Sequence, residues 1–473
     1  MAAFPFIGAS YTARSKSFDS QRCVNLYPEM SQSGPGPSKN VAMLIGTPGL
    51  ALWSTLAGGP VRGLLRFSAA QAIAVAGGNV YSVTTAGVGT LLGTIGAGSG
   101  VVSMASNGIS VMIADGTGLW AVNVADSTVA SLAYAADDVD FIDGYFVFNE
   151  SGSGRYRITG LYSTVIDLLK FGTAEGSPDP LVGLIVDHRE VWLFGRDTTE
   201  VAFNSGRPDF PLDRIQGAFI EYGCAAARSI AKMDSSIFWL GANDRGQGTV
   251  QRAEGYRPMR ISTHALEFAI ASYIRIDDAI AYTYQQEGHS FYVLTFPSGN
   301  ATWVYDASTG LWHERAWRNP VDATLNRHRT QCHMAFAGEN LVGDWETGKI
   351  YRLDLDTYTD NGDPLPRIRA CPHLSADLKW QFFNSLQVDM QAGVGLTTGQ
   401  GSDPQAMLQL SDDGGSTWSS EMWAAIGKIG ERLARVRWRR LGKSRDRVFR
   451  VTVTDPVKII MIGASADVSV GEA

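Results

Sequence analysis

Several features that mark common functional classes are missing from this sequence of 473 residues. It has only 4 cysteines, which are scattered and form no C-x-x-C pair, so a disulfide framework is not expected. No run of 18 or more apolar residues occurs, and we therefore expect no membrane span. The first residues lack the basic start and apolar core of a signal peptide, so we expect folding in a reducing cytoplasm.

An excess of positive charge is also missing. The chain has 40 Lys and Arg against 47 Asp and Glu, which gives a formal net charge of −7. A protein that grips nucleic acid with its whole surface usually carries a basic excess. A mildly acidic surface instead suits a wall past which DNA slides, because it does not capture phosphates.

Motifs for catalysis or metal binding are absent as well. The sequence contains no G-x-S-x-G elbow, phosphate-binding P-loop, dinucleotide fingerprint or H-E-x-x-H pair. His328 and His333 flank Cys332 without the spacing of a metal site, and residues 360–363 (DNGD) fit a turn better than a calcium loop. We therefore expect a non-enzymatic protein without catalytic residues, metal or cofactor.

What the sequence does contain is a repeated hairpin pattern: an apolar strand, a tight turn, and a second apolar strand rich in aromatic residues. The seven repeats begin at Ala72, Ile109, Val139, Val182, Ser229, Ala279 and His333. Their spacing of roughly 30 to 55 residues is in the range of propeller blades. We expect an all-β fold in which residues 61–355 form a β-propeller of six or seven blades. A set of β-sandwiches is the alternative.

The two ends of the chain differ from this repeat. Residues 1–60 are irregular and predict an N-terminal arm or platform. Residues 356–473 begin with a turn-rich connection and continue as long strands, which predicts a C-terminal β-sandwich domain. Helical periodicity is nearly absent, and only residues 161–169 suggest one short helix.

Residues 411–418 (SDDGGSTW) match the Asp-box pattern S-x-D-x-G-x-T-W. The residues of this pattern are Ser411, Asp413, Gly415, Thr417 and Trp418. In such a turn, the Asp and hydroxyl groups bind backbone amides and the Trp packs beneath, so we expect a structural role. Because sialidases also carry Asp boxes, a propeller-type glycan hydrolase or a glycan-binding protein is the alternative function.

The strongest local charge lies in residues 432–450, where nine Arg and Lys residues accompany one acid. Strand alternation places Arg435, Arg437 and Arg439 on one face and Val436 with Trp438 on the other. The candidate interface residues are Arg435, Arg437, Arg439 and Arg440. Like charges along one face repel, so we expect them to contact acids of a partner or of a neighbouring subunit. Phosphate contact and a solvated basic face are the alternatives.

Three segments, taken in their order along the chain, resemble signatures of the packaged-DNA stabilisation proteins that form the tail hub, or nozzle, of short-tailed bacteriophages. The first is residues 17–30 (SFDSQRCVNLYPEM). The second is residues 343–354 (GDWETGKIYRLD), running on through residues 357–374 (TYTDNGDPLPRIRACPHL). The third is the C-terminal block from residue 408 (LQLSDDGGSTWS) to residue 464 (…VKIIMIGA). The region between about 60 and 330 is less distinctive.

The resemblance implies a homo-hexameric ring beneath the portal and head-to-tail adaptor complex. Such a ring would extend the DNA channel, retain packaged double-stranded DNA with a tail needle or plug, and take part in genome ejection. It would offer sites for tailspikes or tail fibres, and DNA would pass through without sequence-specific binding. The expected location is the virion tail, after assembly in the host cytoplasm.

Overall fold

The regular secondary structure in the computed structural model consists almost entirely of β-strands. The structure describes residues 2–32, 41–174, 176, 179–242 and 248–471. Within these residues, the helical elements are α1 (His264–Ala271) and one 3-10 turn (Ala227–Ser229). No helix in this part of the chain is both long and apolar enough to cross a membrane.

Six strands precede the repeated units. They are β1 (Ala2–Phe4), β2 (Tyr11–Thr12), β3 (Ser20–Val24), β4 (Leu26–Met30), β5 (Ala42–Gly46) and β6 (Gly49–Thr55).

Six blades of a β-propeller follow, each formed by four consecutive antiparallel strands. Blade 1 contains β7 (Val61–Arg66), β8 (Gln71–Ala76), β9 (Asn79–Thr84) and β10 (Gly89–Thr94). Blade 2 contains β11 (Ser103–Ser106), β12 (Ser110–Ala114), β13 (Leu119–Asn123) and β14 (Thr128–Ser131). Blade 3 contains β15 (Ala136–Ile142), β16 (Tyr145–Glu150), β17 (Arg155–Thr159) and β18 (Ile166–Thr173). Blade 4 contains β19 (Leu181–Asp187), β20 (Glu190–Gly195), β21 (Thr199–Asn204) and β22 (Leu212–Ile220). Blade 5 contains β23 (Ala231–Met233), β24 (Ser236–Gly241), β25 (Thr249–Glu254) and β26 (Arg257–Arg260). Blade 6 contains β27 (Ile280–Gln286), β28 (His289–Phe296), β29 (Ala301–Asp306) and β30 (Leu311–Arg318), followed by the short β31 (Leu325–Arg327).

A seventh four-stranded unit closes the ring with a strand from upstream of blade 1. Its strands are β32 (Thr330–Phe336), β33 (Glu339–Asp344), β34 (Lys349–Asp354) and β6. β6 runs antiparallel to β34, with Leu50 opposite Leu353 and Gly49 opposite Asp354. The short strands β35 (Thr359–Asp360) and β36 (Asp363–Pro364) extend this sheet beyond β6. Each of the seven predicted hairpins lies in a different one of the seven units.

Tight turns at defined positions explain how these hairpins form. Gly77, Gly144 and Gly288 have positive φ values between β8 and β9, β15 and β16, and β27 and β28. His188 and Arg189 both adopt positive φ between β19 and β20. Consecutive left-handed residues match the twist of a two-residue hairpin, so the turn chemistry sets the register of each blade.

Burial changes systematically from the axis of the propeller to its rim. The second strand of each blade is nearly continuous in buried side chains, as in β8, β24 and β28. Both faces of these strands are covered because neighbouring blades pack on either side. The outer strands β14 and β18 are largely exposed.

The C-terminal strands form two further sheets that pack face to face. They are β37 (Arg367–Ala370), β38 (Leu374–Ser375), β39 (Gln381–Met390), β40 (Gln405–Ser411), β41 (Met422–Ala425), β42 (Val436–Arg439), β43 (Lys443–Ser444), β44 (Asp446–Val453) and β45 (Ile460–Val470). The first sheet has the order β4-β5-β45-β39-β42. The second has the order β3-β37-β44-β40-β41 and is continuous with blade 6, because β3 also pairs with β30. Side chains of both sheets share one core, which includes Phe383, Leu386, Trp438 and Phe449.

The N-terminal segment differs from the separate arm expected for residues 1–60. β1 pairs with β45, β3 pairs with β37, and β4 with β5 forms one edge of the first sandwich sheet. The sequence pattern could not show this, because the partner strands β37 and β45 lie more than 300 residues away.

The short helix suggested at residues 161–169 is wrong. Ile166–Thr173 is the outer strand β18, which pairs with β17. Leu168 and Leu169 are exposed to solvent. Their spacing resembles that of an amphipathic helix, but these leucines form no buried face. The helix that does form, α1, begins where the Thr263 side chain accepts a hydrogen bond from the Leu266 backbone N–H.

Candidate assembly surfaces

The predicted arginine strand is β42, the edge of the first sandwich sheet. Val436 and Trp438 are buried in the shared core, and the Trp438 indole N–H donates to the Met422 carbonyl at 2.8 Å. Arg435 and Arg439 are exposed on the opposite face. The predicted alternation of side chains along this strand is therefore present in the structure.

The arginines of β42 carry charge that the fold does not neutralise. Arg437 is half-buried and donates through Nη2 to the Ser385 hydroxyl at 3.0 Å, while its Nε is buried without a partner. Arg440 follows the strand with a φ of 61° and is exposed. Among the residues that the structure describes, no carboxylate lies within 4 Å of Arg435, Arg437, Arg439 or Arg440. Their positive charge remains available to an external acidic group.

Other cations of residues 432–450 are part of the sandwich itself. Arg447 is buried and binds Asp412 through two hydrogen bonds of 2.7 and 2.9 Å. Arg450 stacks over the Trp418 ring at 4.0 Å. Lys443 lies over the Trp380 ring at 4.7 Å. Sequence alternation alone did not separate these structural cations from the exposed ones, because their partners come from distant strands.

The Asp box forms a compact turn after β40. Asp413 accepts hydrogen bonds from the Ser411 and Thr417 hydroxyls at 2.7 and 2.6 Å and from the Thr417 backbone N–H at 2.9 Å. The hydrogen bonds from Thr417 lower the pKa of Asp413 well below its usual range. The Gly415 N–H donates to the Ser411 hydroxyl at 2.7 Å. The carboxylate is thus occupied in holding the turn.

This turn also receives the N-terminal segment. A Cβ at Gly414 would lie 2.9 Å from the Lys16 carbonyl oxygen, so the two backbones are in close contact. His373 bridges the same region, with Nε2 2.8 Å from the Lys16 oxygen and Nδ1 2.7 Å from Asp446. The Asp box therefore helps to hold residues near Lys16 against the sandwich.

A set of polar contacts missed by the sequence analysis joins the sandwich to blade 6. Asn25 adopts a φ of 52° and donates to the carbonyls of Ala316 and Pro366, both at 2.8 Å. Arg22 forms an ion pair with Glu314. Both Asn25 and Arg22 belong to the segment 17–30. This segment joins the two domains, with β3 lying parallel to β30.

Arg369 of β37 also connects the sandwich to the N-terminal segment. Its guanidinium is buried and donates to the carbonyls of Phe6 and Ala9 at 2.6 and 3.0 Å and to the Gln21 side chain at 2.6 Å. A single buried guanidinium thereby binds two parts of the N-terminal chain, residues 6–9 and Gln21.

The first strands of the blades surround an axial cavity of about 590 Å³. Charged groups cross it between blades. Asp138 pairs with Arg228, and Lys232 lies 3.6 Å from Asp140 and donates to the Val186 carbonyl at 2.7 Å. Burial raises the pKa of Asp138, against the opposing effect of Arg228.

The histidines weighed as metal ligands are packed inside the fold. His328 Nδ1 lies 2.8 Å from the Thr330 hydroxyl, and burial lowers the pKa of His328 to about 3. His333 Nε2 lies 2.9 Å from the Asn340 side-chain oxygen. Burial raises the pKa of Cys332 to about 12. No group of three His, Cys, Asp or Glu residues is placed to hold a metal within the described ranges.

The predicted turn at residues 360–363 connects β35 to β36. Asn361 and Gly362 have φ values of 53° and 95°, as a turn with left-handed residues requires. Asp360 is fully buried, and Asp363 accepts a hydrogen bond from the Trp317 indole at 3.0 Å.

Three solved structures that are similar to the chain share only 8 to 14% of its sequence. The N-terminal domain of Nup159 is 8% identical with a TM-score of 0.42, covering 71% of this chain and 99% of that one. The computationally designed Ika8 protein is 14% identical with a TM-score of 0.37, covering 71% of this chain and 100% of that one. The Cps50 (Swd1) propeller domain of Myceliophteria thermophila is 8% identical with a TM-score of 0.40, covering 64% of this chain and 98% of that one.

Family comparisons cover both domains. No curated protein sequence matches the chain. The family described as bacteriophage P22 Gp10, β-propeller, matches residues 2–358. The family described as bacteriophage P22 Gp10, β-sandwich, matches residues 366–469. Because these two matches follow the two domains seen in the structure, the protein belongs to the bacteriophage P22 Gp10 family of tail-hub proteins that stabilise packaged DNA.

Proposed function

We propose that six copies of this chain form a ring that extends the DNA channel below the portal and head-to-tail adaptor of a short-tailed phage. The ring would retain packaged DNA together with a tail needle or plug, carry tailspikes or fibres, and take part in genome ejection. The protein would act in the virion tail, after assembly in the host cytoplasm. Its role would be structural and not enzymatic.

The two family matches, which together span both domains, carry this proposal. A phage tail-hub protein that stabilises packaged DNA must stand beside the DNA path. Because the Asp138–Arg228 and Lys232–Asp140 pairs cross the axial cavity, we expect the DNA path to run between copies of the chain.

Surface charge supports a conduit that does not capture DNA. The net charge is −7, although the exposed arginines of β42 form one local exception. A basic strand on an acidic protein is suited to contact an acidic surface of another tail subunit. The remaining acidic surface would let phosphates pass without retention.

A DNA-retention assay tests this role. Phage heads that carry portal and adaptor are filled with DNA in the presence or absence of the purified protein, and the DNA that survives nuclease is measured. We expect nuclease access to the packaged DNA to fall as six copies bind per particle, since the ring closes the exit together with the plug. Binding that leaves the DNA equally accessible, or no binding at all, would contradict the proposal.

A further inference from the structure

The outer edge of blade 3 carries a concentration of exposed apolar side chains, here named the knob. The knob consists of Leu161, Tyr162, Val165, Leu168 and Leu169. Leu169 is 86% exposed and Val165 is 71% exposed. Large apolar side chains gathered in this way on a soluble protein mark a surface that another molecule covers.

Hydrogen bonds from neighbouring side chains fix the backbone of the knob. The register of β18 on β17 shifts between Ile166 and Phe171, so the residues between them bulge outward. Arg157 holds this bulge by donating through Nη1 to the Leu168 carbonyl at 2.9 Å, and its guanidinium also pairs with Glu150. Asp167 accepts a hydrogen bond from the Leu169 N–H at 3.0 Å. The exposed leucines are therefore presented by an ordered bulge.

The same bulge argues against docking by strand addition. An added strand needs a regular row of free N–H and C=O groups at the edge, and a bulge interrupts that row. The knob must then be recognised through its side chains, by a concave apolar surface.

A concave surface lined by both apolar and charged side chains lies elsewhere on the same chain, and is here named the groove. It is a cavity of about 750 Å³ between the segment after β2 and helix α1. Its apolar lining includes Phe268, Ile270, Ala271, Ile274 and Ile276. Ile274 is 94% exposed at its mouth.

One positive charge of the groove has no acidic partner. Arg260 forms two hydrogen bonds of 2.6 Å with Glu267, and Arg275, another lining residue, forms two with Asp277 at 2.7 and 2.9 Å. Arg14 lies over the Phe268 ring at 5.7 Å, and no carboxylate of the described chain lies within 4 Å of it. Asp167, exposed on the knob, likewise has no cation within 4 Å among described residues. Lys170 also lies in the bulge of the knob, half-buried and without a carboxylate within 4 Å among the described residues. Both surfaces thus combine apolar and charged side chains, and their exposed free charges, Asp167 on the knob and Arg14 in the groove, are of opposite sign.

We infer that the knob of one copy seats in the groove of the next copy, with Asp167 facing Arg14. The two surfaces lie on blade 3 and beside the connection from blade 5 to blade 6, so they cannot meet within one copy. A contact between two different patches repeats in one direction and generates a ring when its rotation closes. This inference rests on the proposed ring and names the surfaces that would form it.

Cysteine cross-linking tests the contact in the assembled particle. The four native cysteines are buried, so a Leu169→Cys, Ile274→Cys protein carries two exposed thiols across the inferred contact. After loading on portal–adaptor complexes and oxidation, we expect a ladder of up to six cross-linked chains. A Leu169→Cys, Val321→Cys protein is the control, because Val321 is 91% exposed but lies outside the groove. Its oxidation should give no ladder.

Imaging of the same samples separates two failures. A ring visible by negative stain without the ladder, or with the same ladder in the control, would overturn the knob–groove contact and leave the ring proposal standing. Wild-type protein that forms no ring on the complexes would overturn both.

Charge reversal provides an independent check that needs no oxidation. Asp167→Arg alone and Arg14→Asp alone should each reduce ring occupancy on portal–adaptor complexes several-fold, and the double variant should restore it. Circular dichroism would establish that each variant is folded. Single variants that load like the wild type, or a double variant no better than the singles, would contradict the contact.

Discussion

At the residue scale, Arg435, Arg437 and Arg439 present charge that their own fold leaves unpaired. Because like charges aligned on one edge strand repel, an acidic partner surface would relieve that repulsion. We expect the triple change of these residues to Ser to leave the melting temperature nearly unchanged while ring formation on portal–adaptor complexes falls at least several-fold. Sedimentation of the complexes with bound protein measures this.

A matched control removes three positive charges elsewhere. Arg66, Arg257 and Lys458 are exposed and lie outside β42, so their triple change to Ser should load normally. Equal loading of both triple variants and the wild type would show that the arginine strand is only a solvated basic face.

Trp438, which is buried in the sandwich core, gives a stability prediction. Truncating a buried aromatic side chain leaves a cavity, so Trp438→Ala should lower the free energy of unfolding of the sandwich by about 3–5 kcal/mol. Urea denaturation followed by circular dichroism provides the measurement. Trp423→Ala is the control, because Trp423 is 62% exposed and its removal should cost far less. Similar losses for both would contradict the assigned packing.

Asp360 gives a pH prediction. Burial raises the pKa of Asp360 to about 7, so the folded protein holds a proton that the unfolded chain releases near pH 3.8. The stability linked to that proton is present below pH 3.8 and is lost as the pH rises through about 7. Asp360→Asn stays neutral, so its stability relative to the wild type should increase over this window and level off above it. A stability difference that does not change between pH 4 and pH 8 would contradict the account.

Individual residues were predictable where local alternation decides their environment. The opposite faces of Val436 and Arg437 follow from strand geometry alone. The role of Arg447 does not, because its partner Asp412 reaches it only through the pairing of β40 with β44. The contacts of Asn25 and Arg369 were missed for the same reason.

At the element scale, closure of the propeller depends on β6, which supplies the last strand of the seventh unit. A Cβ at Gly49 would lie 2.3 Å from the Thr357 carbonyl oxygen, so Gly49→Ala forces backbone to move at this closure. We expect a loss of about 1–3 kcal/mol, as in other overpacked sites. Hydrogen exchange should show the loss of protection first in β6 and β34.

Gly100→Ala is the matched control for this closure. A Cβ at Gly100 would meet no atom within 4 Å, so the substitution should leave stability nearly unchanged. If hydrogen exchange in Gly49→Ala accelerated equally in all blades, the ring would not open at β6.

The blades were largely predictable as elements because each is a local unit. Turn residues and alternating apolar strands within about 15 residues define each central hairpin, and all seven hairpins are present in the structure. The outer strands carried weaker signals, since exposure removes the apolar alternation. β18 shows this effect, where exposed leucines in a bulge suggested a helix.

At the scale of the whole molecule, the N-terminal strands connect the propeller to the sandwich. β3 pairs with β37 of the sandwich and also with β30 of blade 6, while β6 closes the seventh unit. The N-terminal strands therefore complete both the sandwich and the propeller, although their partner strands lie far away in the sequence. Such long-range pairing leaves no periodic signal in a single sequence, which is why the segment was expected to stand apart as an arm.

The most direct test of the central claim is the copy number and symmetry of the protein on its portal–adaptor complex. Light scattering would give the added mass, and negative-stain imaging would give the symmetry, for the protein alone and for the mixture. We predict a six-fold ring with an open central channel in the mixture. A protein that stays monomeric both alone and beside the portal–adaptor complex would contradict the hub assignment.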